Sequence, residues 1–243
     1  MEFPKISILT PTYNRRKFLP LMIHNINSFD YDKNKIEWVI CDDHPDNPLF
    51  TGDMLEKTKK EIYPVKLKYI YRPQKHLGIG EKRNLLVKNS TNKVLVNMDD
   101  DDIYIPNYIK YSIFTMKKNK VSIVGSNQML FIYPYHNYKF TFIQCGAKRQ
   151  AHEATMVYTK KHWASMGGYN KKGTGEGAGM VDFNEKNCAM TDIMQCMICV
   201  CHKDNTCSKD KFVDNDIHIT TNGLEKHLEI LKNIFELPNP PTN

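Results

Sequence analysis

Apolar residues fall in short runs along the first half of the chain, separated by stretches where they recur at helical spacing. KISILT (residues 5–10) reads as a strand, PTYNRR as a turn and KFLPLMIHNINSF (17–29) as a helix. EWVICDD (37–43) predicts a second strand and VKLKYIY (65–71) a third, followed by a glycine-containing loop and the helical EKRNLLVKNS (81–90). KVLVNM (93–98) is the fourth strand, NYIKYSIFTMKK (107–118) a helix and VSIVGSN (121–127) a fifth strand. Such an order implies an α/β fold: a mostly parallel, right-handed sheet flanked by helices.

The second half is less regular. MLFIYPYHNYKFTFIQ (129–144) predicts an antiparallel hairpin turning around Pro134 to Asn137. ATMVYTKKHWASMGGYN gives a strand and a short helix ending at glycines, KKGTGEGAGM a loop and MICVCH a short strand. GLEKHLEILKNIF is an amphipathic helix with Leu224, Leu228, Leu231 and Phe235 on one face. That face predicts packing on the core, with a homo-oligomer contact as the alternative. Neither a repeat nor a linker interrupts the pattern, so one domain over 1–243 is expected, ending in a frayed PNPPTN tail.

Composition narrows the class. The 243 residues suffice for a sizeable core, and 41% hydrophobic with 25% charged residues is ordinary for a soluble globular protein. Glu2 and the brevity of ISILT argue against a signal peptide, and no apolar run approaches a bilayer span, so a soluble, cytoplasmic protein is expected. Seven cysteines without an export signal predict reduced thiols. A formal charge of +7 suits an anionic partner, but the lysines are dispersed, which argues against nucleic acid and allows a phosphorylated small molecule.

Three polar clusters fall where strands end: PTYNRR, CDD and the DDDD of residues 99–102. Ligands of parallel sheets collect at those carboxyl ends. Four adjacent carboxylates resist ionising together unless a cation or water sits among them. Asp99 and Asp101 alternate to one side of an extended chain, a pairing that suits a hard divalent cation, Mg²⁺ or Mn²⁺, with substrate phosphates. The competing reading is a helix cap, assigned to Asp102, ahead of NYIKYSIF.

ISILTPTYNRRKFL, the CDD after strand two, EKRN, NMDDDDIYIP and TMVYTKKHWASMGGYN followed by GEG together resemble glycosyltransferase family 2, with its GT-A fold, over roughly residues 3–202. The resemblance implies a nucleotide-sugar half (about 1–127) and an acceptor half with the C-terminal helix (about 128–235). Pro11 and Tyr13 would line a uracil pocket, Asp43 with Asp42 would accept from the base, and Arg83 would sit near the nucleotide or diphosphate. Asp99, Asp100 and Asp101 match the Asp-x-Asp element, whose last member binds the metal while an earlier one approaches the ribose. In some related enzymes a histidine ending a late strand completes the metal shell; His202 holds that place and would favour Mn²⁺. The implied reaction moves a sugar from a UDP-sugar to a hydroxyl of a saccharide or glycoconjugate, with inversion.

Similar enzymes take the acceptor proton on the Asp of a Glu-Asp pair. Here Gly177 holds that position, so Glu176 is the expected base and Asp182 its reserve, with Glu153 a third candidate. Trp163, Tyr133, Tyr135 and Tyr138 could stack on a sugar or pack in the core. The cysteines of MICVCH alternate with apolar residues as a buried strand would, which favours small-hydrophobe packing over structural zinc. Two other readings remain: a nucleotidyltransferase, for which PTYNRR lacks the glycine-rich basic loop, and a nucleotide-sugar-binding module without turnover.

Overall fold

A computed structural model describes residues 2–171, 175–181, 186–205, 207–238 and 240. Its larger sheet contains β1 (Ile6–Thr12), β2 (Ile36–Asp42), β3 (Lys66–Tyr71), β4 (Val94–Asn97), β6 (Ile123–Gly125), β9 (Val157–Thr159) and β10 (Cys188–Met190). The strand order is β10-β6-β9-β4-β1-β2-β3. β1, β2, β3 and β4 pair in parallel, as do β6 and β10, and β9 runs antiparallel between β4 and β6. All seven residues of β1 and of β2 are buried, as expected where helices cover both faces. β3, at the sheet's edge, alternates between exposed and half-buried positions.

The smaller sheet has the order β5-β11-β7-β8, from β5 (Ile103–Tyr104), β11 (Met197–Val200), β7 (Gln128–Tyr133) and β8 (Lys139–Gln144). β7 and β8 form the expected aromatic hairpin. β11 runs parallel to β7 and antiparallel to β5. The helices are α1 (Leu19–Ser28), α2 (Met54–Glu61), α3 (Ile79–Asn89), α4 (Tyr108–Asn119), α5 (Lys160–Ser165) and α6 (Glu225–Phe235). No helix among the described residues is long and apolar enough to cross a membrane.

The expected elements of the first half are present, and the chain adds three: α2 and β5 there and β10 in the second half. α2 has Thr58 as its buried residue, so it shows no apolar stripe. β5 and β10 are too short for their patterns to register. Leu224, Leu228, Leu231 and Phe235 all enter the chain's own core, which settles the facing of α6.

Register places the polar clusters on one rim. β1 ends beside β2 with Thr12 opposite Asp42, and Leu9 lies opposite Asn97 at the end of β4. The acidic segment therefore begins just beyond β4, and β5 carries the chain from it into the smaller sheet. The helix-cap reading of Asp102 is corrected here: α4 starts at Tyr108 behind Asn107. Asp102 Oδ1 instead accepts the Val200 N–H of β11 at 3.0 Å.

Candidate active site

A cavity of about 690 Å³ opens at this rim, lined by residues 11–17 after β1, residues 76–79 and Lys82 at the start of α3, Asn47, Asp99, Asp100, Asp101 and Asp204. A smaller cavity of about 220 Å³ lies between β8 and α6, away from the motif residues.

At one end stands Tyr13, 39% exposed, its ring centroid 4.6 Å from His44 and 4.5 Å from His76. Asn14 adopts a left-handed conformation (φ 56°), which asparagine tolerates well, and its side-chain oxygen accepts from Asn47 at 2.7 Å. The Lys82 ammonium lies 4.9 Å from the Tyr13 ring centroid and donates to the Thr12 carbonyl at 2.9 Å. It also pairs with Asp43, which accepts the Leu77 N–H and faces His76 Nδ1 at 3.2 Å. Asp43 thus underpins the cavity wall through Lys82 and His76. The Asp42 carboxylate accepts from the His44 N–H (3.1 Å), the Leu49 N–H (2.7 Å) and the Tyr69 hydroxyl (2.7 Å), and like Asp43 it is buried. Three internal donors make it the post on which the 43–49 turn is built, and it lies outside the cavity lining.

Arg83, almost fully buried, bridges the acidic segment and the loop carrying Glu176. Its Nε donates to Glu176 Oε1 at 2.8 Å and its Nη2 lies 2.9 Å from Asp99 Oδ1. Burial works against the charge, but the Asp99 and Glu176 carboxylates outweigh it and hold the guanidinium well above its ordinary pKa. Burial raises the Glu176 pKa, the Arg83 charge opposes that rise and Glu153 adds to it. Glu153 itself accepts the Gly177 N–H at 3.1 Å. Asp182 lies outside the described residues.

Asn84, beside Arg83, fixes the glycine turn. Its oxygen accepts from Trp163 Nε1 (2.8 Å) and the Tyr169 N–H (2.9 Å), while its amide donates to the Tyr169 carbonyl (2.7 Å). Gly168 has φ +80°, and a Cβ there would lie 2.7 Å from the Asn84 oxygen. Trp163 is therefore occupied in holding this turn, while Tyr133 and Tyr138 are buried and Tyr135 is exposed.

The acidic segment is pinned by groups that motif reading misses. Asn25, fully buried in α1, donates to the Asp102 carbonyl (2.9 Å) and accepts the Tyr104 N–H (3.1 Å). The Tyr104 hydroxyl accepts the Asp99 N–H at 2.8 Å. So held, the aspartates diverge. Asp99 faces Arg83, Asp102 faces β11, and Asp101 Oδ2 lies 3.0 Å from His202 Nε2. Burial and the Asp101 charge push Asp100 well above the usual aspartate range. Burial also opposes ionisation of Asp101, but the His202 hydrogen bond and charge prevail, helped by Arg15, and its pKa is lowered.

The expected metal set divides. Asp101 and His202 meet, whereas Asp99 is drawn to Arg83, and no group of three or more His, Cys, Asp or Glu converges among the described residues. Asp101 on the cavity wall, backed by the buried His202 imidazole, fits a divalent ion whose remaining ligands are donor phosphates and water. Cys196, Cys199 and Cys201 are buried in the core, consistent with packing. Arg15, His44, His76 and Lys82 were missed as site residues; basic or imidazole side chains next to PTYN, CDD and EKRN were the signal available.

Similar proteins share this architecture. TarS, a poly(ribitol-phosphate) beta-N-acetylglucosaminyltransferase of Staphylococcus aureus, is 26% identical over 98 residues, covering 40% of this chain and 16% of that protein. WfgD of Escherichia coli, a UDP-Glc:alpha-D-GlcNAc-diphosphoundecaprenol beta-1,3-glucosyltransferase, is 28% identical over 123 residues, covering 50% and 45%. The matches therefore span less than half of either relative. The crystal structure of S. aureus TarS 1–349 with UDP-GlcNAc superposes with a TM-score of 0.61 at 14% identity, covering 95% of this chain and 65% of that one. Mannosyltransferase PcManGT from Pyrobaculum calidifontis, with GDP-Man and Mn²⁺, gives 0.61 at 14%, covering 97% and 64%. At such identity these likenesses show the fold, which is that of the GT-A enzymes. The sequence model of glycosyl transferase family 2 matches residues 7–171, and the chain belongs to that family.

Proposed function

We propose that this chain transfers a sugar from a UDP-sugar to a hydroxyl of a saccharide or glycoconjugate, with inversion and with help from Mn²⁺ or Mg²⁺. The single observation that carries the reading is the rim cavity, whose wall holds Tyr13 and, beyond the parallel strands, Asp101 with the buried His202 Nε2 3.0 Å from its carboxylate. The UDP and UDP-GlcNAc complexes of TarS support a uridine donor, and the Mn²⁺ complex of PcManGT supports a metal. The donor's base would lie against Tyr13 and His76, with its diphosphate toward Asp101.

Asp101 and His202 would hold the ion, which supplies positive charge against the departing diphosphate, a contribution of several kcal/mol. The chain's own groups do the rest. Tyr13 and Lys82 orient the nucleotide. Glu176 takes the acceptor's proton as the acceptor oxygen bonds to the anomeric carbon and the bond to the diphosphate breaks on the opposite face. For that, Glu176 must exchange its Arg83 contact for the acceptor; Asp182 is the reserve. The binding-module alternative draws on the same contact, since a base held by Arg83 would leave the donor intact.

The test is binding and turnover of a panel of nucleotide sugars with and without Mn²⁺, in the chain and in Asp101→Ala. UDP-sugar binding or hydrolysis that needs Mn²⁺ and disappears in the variant supports the reading. Activity untouched by the substitution removes the metal site, and binding without turnover favours the module.

A further inference from the structure

Four basic side chains line the same cavity after β1 and on α3, and each donates to a protein acceptor. Arg16 donates to the Pro48 carbonyl at 2.8 and 2.6 Å, Lys17 pairs with Asp204 at 2.7 Å and Lys82 holds the Thr12 carbonyl at 2.9 Å. Arg15 differs. It donates to the Asp204 carbonyl, but its Nε is 3.9 Å from Asp100 Oδ1 and its Nη2 is 3.7 Å from Asp101 Oδ2. Those separations give charge attraction to Asp100 and Asp101 without a direct hydrogen bond to either. The Asp101 oxygen that Arg15 faces is also the one that faces His202 Nε2. A divalent ion on that oxygen and a guanidinium beside it would repel.

We propose that Arg15 is a placeholder cation, standing against Asp100 and Asp101 in the free protein and turning to the donor's diphosphate when a divalent ion takes its place. The inference rests on the metal-assisted reading above and assigns a positioning role to a residue of the PTYNRR turn that carries none in that reading. Its consequence is thermodynamic. The ion alone must displace Arg15 with nothing to receive it, whereas bound diphosphate offers a new partner. Ion and nucleotide therefore bind cooperatively, each raising the affinity of the other by the same factor.

The experiment is a Mn²⁺ titration of the full chain, following free Mn²⁺ by electron paramagnetic resonance, with and without saturating UDP. It compares the unaltered protein with Arg15→Gln, Arg15→Lys and, as a charge control, Lys57→Gln, an exposed lysine of α2 outside the cavity lining. UDP should tighten Mn²⁺ binding about tenfold or more in the unaltered protein and in Arg15→Lys. Arg15→Gln should bind Mn²⁺ alone several-fold more tightly and show weaker coupling by the same factor, keeping the part that comes from phosphate ligation; a merely structural role would not produce such a gain. Lys57→Gln should behave as the unaltered protein does. Equal coupling in Arg15→Gln, an equal gain in Lys57→Gln, or no coupling in the unaltered protein overturns the proposal while the metal site stands. No Mn²⁺ binding even with UDP removes both.

Discussion

Arg83 and Glu176 form a buried ion pair, Nε to Oε1 at 2.8 Å, that ties the start of α3 to the loop after the glycine turn. The same guanidinium reaches Asp99, so one cation balances two carboxylates from distant parts of the chain. Removing it should be expensive. Arg83→Ala leaves the buried Glu176 carboxylate without a counter-charge, a class of change that costs about 3–5 kcal/mol. Urea denaturation should show a midpoint shift of that size, and Arg83→Lys a smaller one, because lysine keeps the charge but loses the fork.

Glu176→Gln separates chemistry from architecture. Glutamine keeps an oxygen for Arg83 Nε but takes no proton, so the fold and UDP affinity should persist. Sugar transfer should fall by about 10²–10⁴-fold, the usual contribution of a positioned base. Initial rates with a UDP-sugar, beside UDP binding by calorimetry, check this. Normal transfer would move the base to Asp182.

Acid should weaken the fold through two histidines. Burial, and secondarily the nearby His24, depress the His227 pKa to about 4, and burial depresses that of His152 to about 4. The unfolded chain takes up these protons near the ordinary value of about 6.5, before the folded one does. Stability is therefore full above about pH 6.5, falls as pH drops toward 4 and levels off below it, losing at most about 3 kcal/mol per histidine. His227 sits between α1 and α6, 4.3 Å from the His24 ring, with neither nitrogen hydrogen-bonded among the described residues. His227→Leu should flatten the pH dependence of the melting temperature between pH 7 and 4 relative to the unaltered protein.

The rim was legible because apolar runs end abruptly in charge: ISILT in PTYNRR, WVI in CDD, VLVNM in DDDD. Parallel pairing then forces those ends together, and register makes this literal with Thr12 beside Asp42. What each aspartate does was not legible, because it depends on partners far along the chain. Asp102 belongs to Val200 and Asp101 to His202, at separations near a hundred residues. The motif suggested Asp99 and Asp101 acting together, yet Arg83 draws Asp99 away. His202 stands out in the sequence because it ends a strand pattern; Arg15 does not, because a basic residue after a turn looks like ordinary surface.

The two halves also meet through a glycine whose place in GIGEKRN has no local reason. Gly80 lies in the first turn of α3, where alanine has the better helix propensity by up to about 1 kcal/mol. A Cβ at that position would stand 1.7 Å from the Asn170 carbonyl oxygen and 3.3 Å from Glu176 Cβ. The first neighbour is backbone and cannot rotate away, so steric cost decides the sign. Gly80→Ala should destabilise the protein by about 1–3 kcal/mol despite its propensity gain. It should also displace the segment carrying Glu176. Transfer measured well below the melting transition should then fall further than the loss of folded protein accounts for, while UDP affinity changes little. A variant as stable and active as the parent would mean that α3 and the Asn170 backbone do not touch.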